Sequence, residues 1–348
     1  MTQYCPKGDE LRYIGMTSVP GRVCMAGEDL DWMVGGSSVV AAIPLRTRVK
    51  IWKSDLINSL ILSSAPPLAR TYQVRHHTFH RYTRTPLEHM HSAARETAAS
   101  NWENLAGLML RASTEIPIGA GVASSAAITL ATAAAVDLSM RGERASVEAV
   151  CKLAYQAESI ELGVGSGWMD FLACGFGGVN HILASMSPQL TVLAPSLTTT
   201  IVLVDTMERR DTRAVIDLKR ERLTAGDQGI SRYISLATEV VDELNKALMS
   251  SSWRCEEIGS LLNRAQYALR EYLKCSTDLI DECVRRCLQG GAYGAKLTGS
   301  GHGGAMFAMA PPCAVDEILE RLNEFPVYVT VLPDVDDSGL TVSVSEGS

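Results

Sequence analysis

The segment Pro117-Ile-Gly-Ala-Gly-Val-Ala-Ser-Ser-Ala-Ala127 constrains this chain more than any other. Two glycines and two serines stand directly before Ala126–Val136, a run of small and apolar residues that suits a buried helix. Gly119 and Gly121 permit backbone angles that a Cβ forbids, so successive N–H groups can converge on one point. A helix beginning at Ser124 or Ser125 adds unpaired N–H groups and the positive end of its dipole. Together these features make a seat for an anion, and phosphate is its usual occupant. The hydroxyls of Ser124 and Ser125 are oxygen donors of the kind that Mg²⁺ prefers. A plain Gly/Ser turn before a capped helix has the same local composition. No Gly-Lys-Ser/Thr follows, so the loop is not a Walker A sequence. The rest of the chain decides between the two readings.

At 348 residues the chain exceeds a typical single core, and two domains are expected. The composition shifts near Ser185–Thr199, which puts the boundary between residues 1–190 and 191–348. Hydrophobic residues at 46% and charged residues at 20% indicate an ordinary globular protein. A formal charge of −7 gives no reason to expect nucleic acid or an anionic membrane as partner. The mixed-sign run Glu208–Arg213 reads as a solvated face. Nine scattered cysteines, odd in number and without Cys-x-x-Cys, fit reduced thiols in a cytoplasmic protein. Cys283 and Cys287, one helical turn apart, read as buried helix positions. There is no basic-then-apolar leader and no run approaching a membrane span.

Along the chain, Val23–Ala26, Ser38–Ile43 and Thr47–Lys53 read as strands, with Glu28, Asp29 and Asp31 between the first two. Three carboxylates at a strand end suit a solvated loop. They are also acceptors for the hydroxyls of a polyhydroxylated ligand, with Arg22 close enough in sequence to face the same cavity. Five histidines fall between His76 and His91, but no cysteine is near, and a metal site there is disfavoured. Pro86–Leu110 reads as helical, and Ser146–Leu162 as a helix capped by Ser146. Gly163–Gly178 places glycines before Asp170, which is either an N-cap or a carboxylate aimed into a cleft. Val179–Leu183 and Thr200–Asp205 read as strands. Three helices follow, at Ser231–Met249, Cys255–Tyr272 and Asp278–Leu288. Then come a strand at Ala295–Thr298, a glycine-rich loop, a strand at Ala305–Met309, a helix at Val315–Glu324 and a strand at Val327–Leu332. The last residues read as exposed and loose. Helices alternating with hairpin strands suggest an α+β class with helices on one face of an antiparallel sheet.

Three glycine-rich segments thus stand in fixed order: Pro20–Gly36, Pro117–Ala127 and Gly294–Gly304. In this the chain resembles the GHMP kinase superfamily, from about Val19 to Met309. Its central motif is matched by Pro117, Gly121, Ser124, Ser125 and Ala126. Its third motif is matched by Gly294, Ala295, Lys296, Thr298, Gly299, Gly301, Gly303 and Gly304. The first motif is most similar to that of galactokinases, at Gly21, Arg22, Gly27, Glu28, Asp31 and Gly36. Gly167-Trp-Met-Asp170 matches their downstream Gly-x-Met-Asp. Four positions depart from the pattern: Cys24, Asp29, Trp32 and Ala123. Asp29 and Trp32 fall in the sugar pocket and put galactose itself in doubt.

The resemblance implies a two-domain fold, with an N-terminal domain like domain 2 of ribosomal protein S5 and a ferredoxin-like C-terminal domain. It implies transfer of the ATP γ-phosphoryl to a small alcohol, the anomeric hydroxyl of a sugar first among them. In that reading Pro117, Gly119, Ala120, Gly121, Val122, Ala123, Ser124 and Ser125 hold the phosphates. Ser125 and Glu158 hold Mg²⁺, and Asp170 and Arg22 are catalytic. The acceptor is bound by Glu28, Asp29, Asp31, Gly36, Gly167, Asp170, Gly299, Ser300 and Gly301. The partners are then ATP and a small sugar, with the chain a monomer or a homodimer. A homoserine-like or mevalonate-like acceptor, or a silent ligand-binding homologue, are the alternatives. The acid-rich first motif argues against an acceptor bearing a carboxylate, and retention of Arg22, Ser125, Glu158 and Asp170 argues against silence.

Overall fold

The computed structural model describes residues 11–75, 78–79, 87–99, 101–143, 145–185, 187–209 and 211–345. In order, the first half runs β1 (Arg12–Ala26), α1 (Leu30–Val34), β2 (Ser37–Lys53), β3 (Ser59–Ser64), β4 (Thr71–Arg75), α2 (Glu88–Ala98), β5 (Leu108–Thr114), α3 (Ser124–Arg141), α4 (Val147–Tyr155), α5 (Met169–Phe176), β6 (Val179–Leu183) and β7 (Gln189–Ala194). The second half runs β8 (Thr200–Asp205), α6 (Thr212–Thr224), α7 (Gln228–Met249), α8 (Cys255–Ala268), α9 (Asp278–Gln289), β9 (Gly294–Leu297), β10 (Ala305–Ala310), α10 (Val315–Leu322), β11 (Tyr328–Leu332) and β12 (Thr341–Val344).

Two sheets result. The larger has the order β12-β1-β2-β5-β3-β4, with β6 and β7 branching from β2; the smaller is β11-β8-β10-β9. Every pair in the smaller sheet is antiparallel, and in the larger only β3 and β5 run parallel. This is the expected α+β class.

Small residues make the central helix possible. From Ala126 to Leu138 nearly every side chain of α3 is buried. Alanines let α3 approach β1 closely enough for the Thr17 hydroxyl to donate to the Ala131 carbonyl at 2.7 Å. Ser146 caps α4 by accepting from the Ala149 N–H, as the sequence suggested.

Four expectations change. Ser38–Ile43 and Thr47–Lys53 are one strand: Pro20 pairs with Arg46 but Gly21 with Ile43, so Pro44 and Leu45 lie in a bulge. A proline cannot donate to a ladder, so it reads as a break although the strand continues around it. Pro86–Leu110 is not one helix. The described part is α2, a 3₁₀ turn at Trp102–Leu105, and then β5, whose buried Leu108, Leu110 and Ala112 alternate with more accessible neighbours. The division between residues 190 and 191 falls inside β7, which pairs with β6 in the larger sheet. Finally, residues 341–344 are not loose: β12 pairs with β1 from Gly15↔Val344 to Ser18↔Thr341. Among the described residues no helix is long and apolar enough to cross a membrane.

Helix α7 joins the two halves. It packs on α8 and also against β1, β2 and β7. Its Tyr233 hydroxyl donates to the Glu28 carbonyl at 2.5 Å, directly behind the acidic turn.

Candidate active site

A cavity of about 380 Å³ lies where the three glycine-rich segments converge. Arg22, Glu28, Asp29, Asp31 and Trp32 reach it from the first segment, and Gly119, Gly121, Ala123, Ser124 and Ser125 from the second. Gly167 and Asp170 come from the start of α5, and Gly299 and Ser300 from the third segment. Pro117, Ala120, Val122, Gly36 and Gly301 do not line it. Ala120 and Val122 are wholly buried, and their backbone anchors the loop instead. The Ala120 carbonyl accepts from Ala305 N–H at 2.7 Å, and that of Val122 from Arg22 N–H at 3.3 Å. Gly36 accepts from Ala184 N–H at a turn, and Gly301 packs on Cys275.

The phosphate loop is built as its glycines require. Gly119 and Gly121 have φ of 72° and 87°. Ala123, at the family's glycine position, sits at φ 63° and opens α3 from the left-handed region. A Cβ disfavours that conformation, so the surrounding contacts must hold it there. A Cβ on Gly299 would stand 2.6 Å from the Gly121 carbonyl, so the third segment lies directly on the loop. Convergent N–H groups at a helix start, closed over by a second glycine turn, can bind a phosphate chain.

Beside the loop, Ser125 Oγ donates to Glu158 Oε1 at 2.8 Å, and Thr129 Oγ1 to Oε2 at 3.1 Å. Glu158 lies in a π-helical stretch, Gln156–Glu161, that continues α4. Such a stretch is frequent at functional sites. Burial pushes the Glu158 carboxyl above its usual range. A buried acid with an adjacent hydroxyl at the mouth of a phosphate loop suits a hard divalent cation, so the residues fit Mg²⁺.

Across the cavity, Arg22 grips Asp170 with two parallel bonds of 2.8 Å and donates to the Gly121 carbonyl at 2.6 Å. Arg22 is 3% exposed, whereas the Asp170 side chain keeps 21%. One bidentate pair thus fixes the catalytic candidate against the phosphate loop.

The acidic turn differs from a solvated cluster and from three free hydroxyl acceptors. Glu28 is ion-paired with Lys296, and Asp29 with Lys219; both lysine side chains are fully buried. The other Asp29 oxygen accepts from the Trp32 indole N–H at 2.9 Å. Among the described residues Asp31 has no basic partner of this kind. Burial, then the charges of Asp29 and Asp170, raise its carboxyl to about 7, against the N–H groups of Trp32 and Met169. Near neutrality Asp31 therefore changes from donor to acceptor toward a hydroxyl. Gly167 leaves room for this carboxyl, since a Cβ there would fall 1.8 Å from Asp31 Oδ2.

A pH dependence follows. The folded-state value lies above the ordinary one near 3.9, so the folded protein holds the proton longer. This contribution is present at low pH and is lost as pH rises toward and through about 7. Between pH 5 and 8, Asp31 is expected to remove on the order of 2 kcal/mol of unfolding free energy. Urea unfolding at both pH values, for wild type and Asp31→Asn, checks this; equal slopes in the two proteins would refute it.

Thr212 and Ile216 on α6 also line the cavity, and Lys219 reaches the site from the same helix. Sequence reasoning missed all three. The signal was present: Val215, Ile216 and Lys219 form the helix's buried stripe, and a lysine on an apolar stripe marks a buried charge. Of the clustered histidines, His89 lines the cavity and His91 is buried, while His76, His77 and His80 lie outside the described residues. Among the described residues no group of three or more His, Cys, Asp or Glu is arranged to hold a metal.

Comparison with known proteins decides the family. The GHMP kinases N terminal domain model matches residues 88–178, and the GHMP kinases C terminal model matches residues 244–327. The mevalonate kinase of Aeropyrum pernix is 30% identical over 322 residues, covering 90% of this chain and 94% of that protein. The chain belongs to the GHMP kinase family. Solved structures agree on the fold. The Methanococcus jannaschii mevalonate kinase superposes with a TM-score of 0.77 at 21% identity, covering 94% of this chain and 98% of that one. The Lactococcus lactis galactokinase complexed with galactose gives 0.77 at 20% identity, covering 96% and 95%. This GHMP kinase is therefore an ATP-dependent phosphotransferase. Its three motifs meet in one cavity with Arg22, Asp170 and Ser125 around them.

Proposed function

We propose that this GHMP kinase transfers the γ-phosphoryl group of ATP to a neutral, polyhydroxylated acceptor, the anomeric hydroxyl of a sugar or sugar derivative, to give a sugar 1-phosphate. One observation carries the choice of acceptor. Glu28, Asp29, Asp31 and Asp170 wall one end of the cavity, while Arg22, Lys219 and Lys296 are already ion-paired there. An acceptor carboxylate would find Arg22, Lys219 and Lys296 already engaged, whereas a sugar hydroxyl would find an acceptor in Asp31 or the partly exposed Asp170.

Phosphoryl transfer needs positioning and charge neutralisation more than covalent catalysis. The N–H groups of Gly119–Ser125 and the start of α3 would hold the triphosphate. Pro67, Leu68, Leu87, Met90 and Ile118 give the cavity an apolar wall suited to the base. Ser125 and Glu158 would hold Mg²⁺, which when bound neutralises phosphate charge. The acceptor oxygen attacks the γ-phosphorus, the bond from that phosphorus to the bridging β-oxygen breaks, and ADP leaves. Asp170 takes the hydroxyl proton, and Arg22 keeps its carboxylate aimed.

The similarity to archaeal mevalonate kinases favours a second reading, an acceptor of the mevalonate type. A panel separates the two. ADP formation is followed with D-galactose, L-arabinose and longer-chain sugars, and with R-mevalonate and homoserine. A neutral sugar is expected to exceed R-mevalonate in kcat/KM by at least about tenfold, which is about 1.4 kcal/mol of transition-state preference. The reverse order would establish the second reading, and no turnover with any acceptor would leave a ligand-binding homologue.

A further inference from the structure

We infer that Lys219, on α6, is a positioning residue that sets the acceptor end of the site against the phosphate end. The inference rests on reading this cavity as the phosphoryl-transfer site, not on which alcohol is the acceptor.

The chain of contacts is continuous. The Lys219 side chain is 0% exposed, and its ammonium is ion-paired with Asp29. The same ammonium donates to the Ser300 carbonyl at 2.6 Å. Asp29 sits at φ 65°, a strained position for a residue with a Cβ, at the start of α1. Its second oxygen holds the Trp32 indole, and the Arg220 guanidinium lies 5.4 Å above that ring. Trp32, Asp29 and Ser300 all line the cavity. Ser300 follows Gly299, which lies on the Gly121 carbonyl of the phosphate loop. One buried ammonium therefore ties the acceptor floor to the turn that covers the phosphates.

The sequence departures gain a physical meaning here. Asp29 and Trp32 are two of the positions at which the first motif leaves the galactokinase pattern. They form one hydrogen-bonded unit with Lys219, and the adjacent Arg220 stacks on its tryptophan. Asp29 is then a support for Trp32 rather than a free acceptor for a sugar hydroxyl. A buried carboxylate in this role needs its cation, because an unpaired charge at 8% exposure is costly. Lys219 does not line the cavity, so it acts through Asp29 and Ser300. A misplacement of about 1 Å between reacting groups can cost about 100-fold in rate.

The test uses Lys219→Met and the double variant Lys219→Met/Asp29→Asn, which removes both charges and keeps the protein folded if the single variant fails. D-galactose and R-mevalonate are the acceptor probes. The double variant is expected to melt near the wild-type temperature, yet to lose about 10–100-fold in kcat/KM for the acceptor that wild type uses. Its KM for ATP should stay within about threefold, because the phosphate loop keeps its own contacts. An acceptor-free readout accompanies this: the Trp32 indole N–H should exchange with D₂O at least about tenfold faster once Asp29 is released. Wild-type acceptor kinetics, a parallel loss in ATP and acceptor constants, or unchanged Trp32 exchange would overturn the inference. Failure of the sugar reading appears separately, as wild-type preference for R-mevalonate or no turnover of either probe, and the exchange readout remains valid in both cases.

Discussion

Asp170→Asn is expected to lower kcat by about 10²–10⁴-fold while leaving KM for ATP within about threefold. The asparagine keeps the shape of the carboxyl but cannot take the acceptor's proton at neutral pH. It also places an amide N–H₂ against Arg22, where two parallel donors now meet two carboxylate oxygens. Arg22 is nearly sealed from solvent, so removing its counter-charge should also destabilise the fold by a few kcal/mol. The two effects must be separated. Steady-state kinetics are measured only after circular dichroism and a thermal melt show a folded variant at the assay temperature. A folded variant with near-normal turnover would take Asp170 out of the chemistry and leave the Arg22 pair as an anchor for α5.

Residues whose type is chemically conspicuous were legible in the sequence before any coordinates. Arg22 and Asp170 are 148 positions apart, and Ser125 and Glu158 are 33 apart, yet each pair meets. Arg22, Ser125 and Asp170 stood out beside glycine-rich turns, whereas Glu158 was singled out only through the resemblance to the family. What was not legible depended on partners that local sequence does not encode. Lys219 lies 190 positions from Asp29, and Lys296 lies 268 from Glu28. The stripe Val215, Ile216, Lys219 marks a buried charge, but nothing near Leu218-Lys-Arg-Glu-Arg222 names the acid it will meet. The pairing within the acidic turn was hidden for the same reason, since the cations that neutralise Glu28 and Asp29 arrive from the other half of the chain. Fold boundaries failed where hydrogen bonding overrode local appearance. Pro44 reads as a strand end until the bulge around it is seen. Thr341–Val344 is partly exposed, so only its pairing with β1 identifies it as a strand.

The largest expected loss of stability comes from Lys296→Met, at about 3–5 kcal/mol. Lys296 is fully buried, and its ammonium serves three acceptors: the Cys24 carbonyl at 2.8 Å, the Leu297 carbonyl at 2.7 Å and the Glu28 carboxylate. Every ammonium proton is thereby used. Glu28 depends on this contact more than an exposed acid would, because it is 2% exposed and its Oε2 has no hydrogen-bond partner among the described residues. Methionine fills much of the lysine's volume, so packing is largely kept and the loss reports the stranded carboxylate. Urea unfolding at pH 7 measures the change, and Glu28→Gln/Lys296→Met should recover most of it, since removing both charges removes the desolvation penalty as well as the attraction. The comparison also bears on the site. Glu28 begins the acidic turn, and Lys296 fixes it to the strand that leads into Gly299 and Ser300. If the double variant is stable but has lost acceptor turnover, the pair orders the site and does not merely hold the halves together. If the single variant loses less than about 1 kcal/mol, Glu28 is not held as a stranded charge, and the ion pair is not what orders this turn.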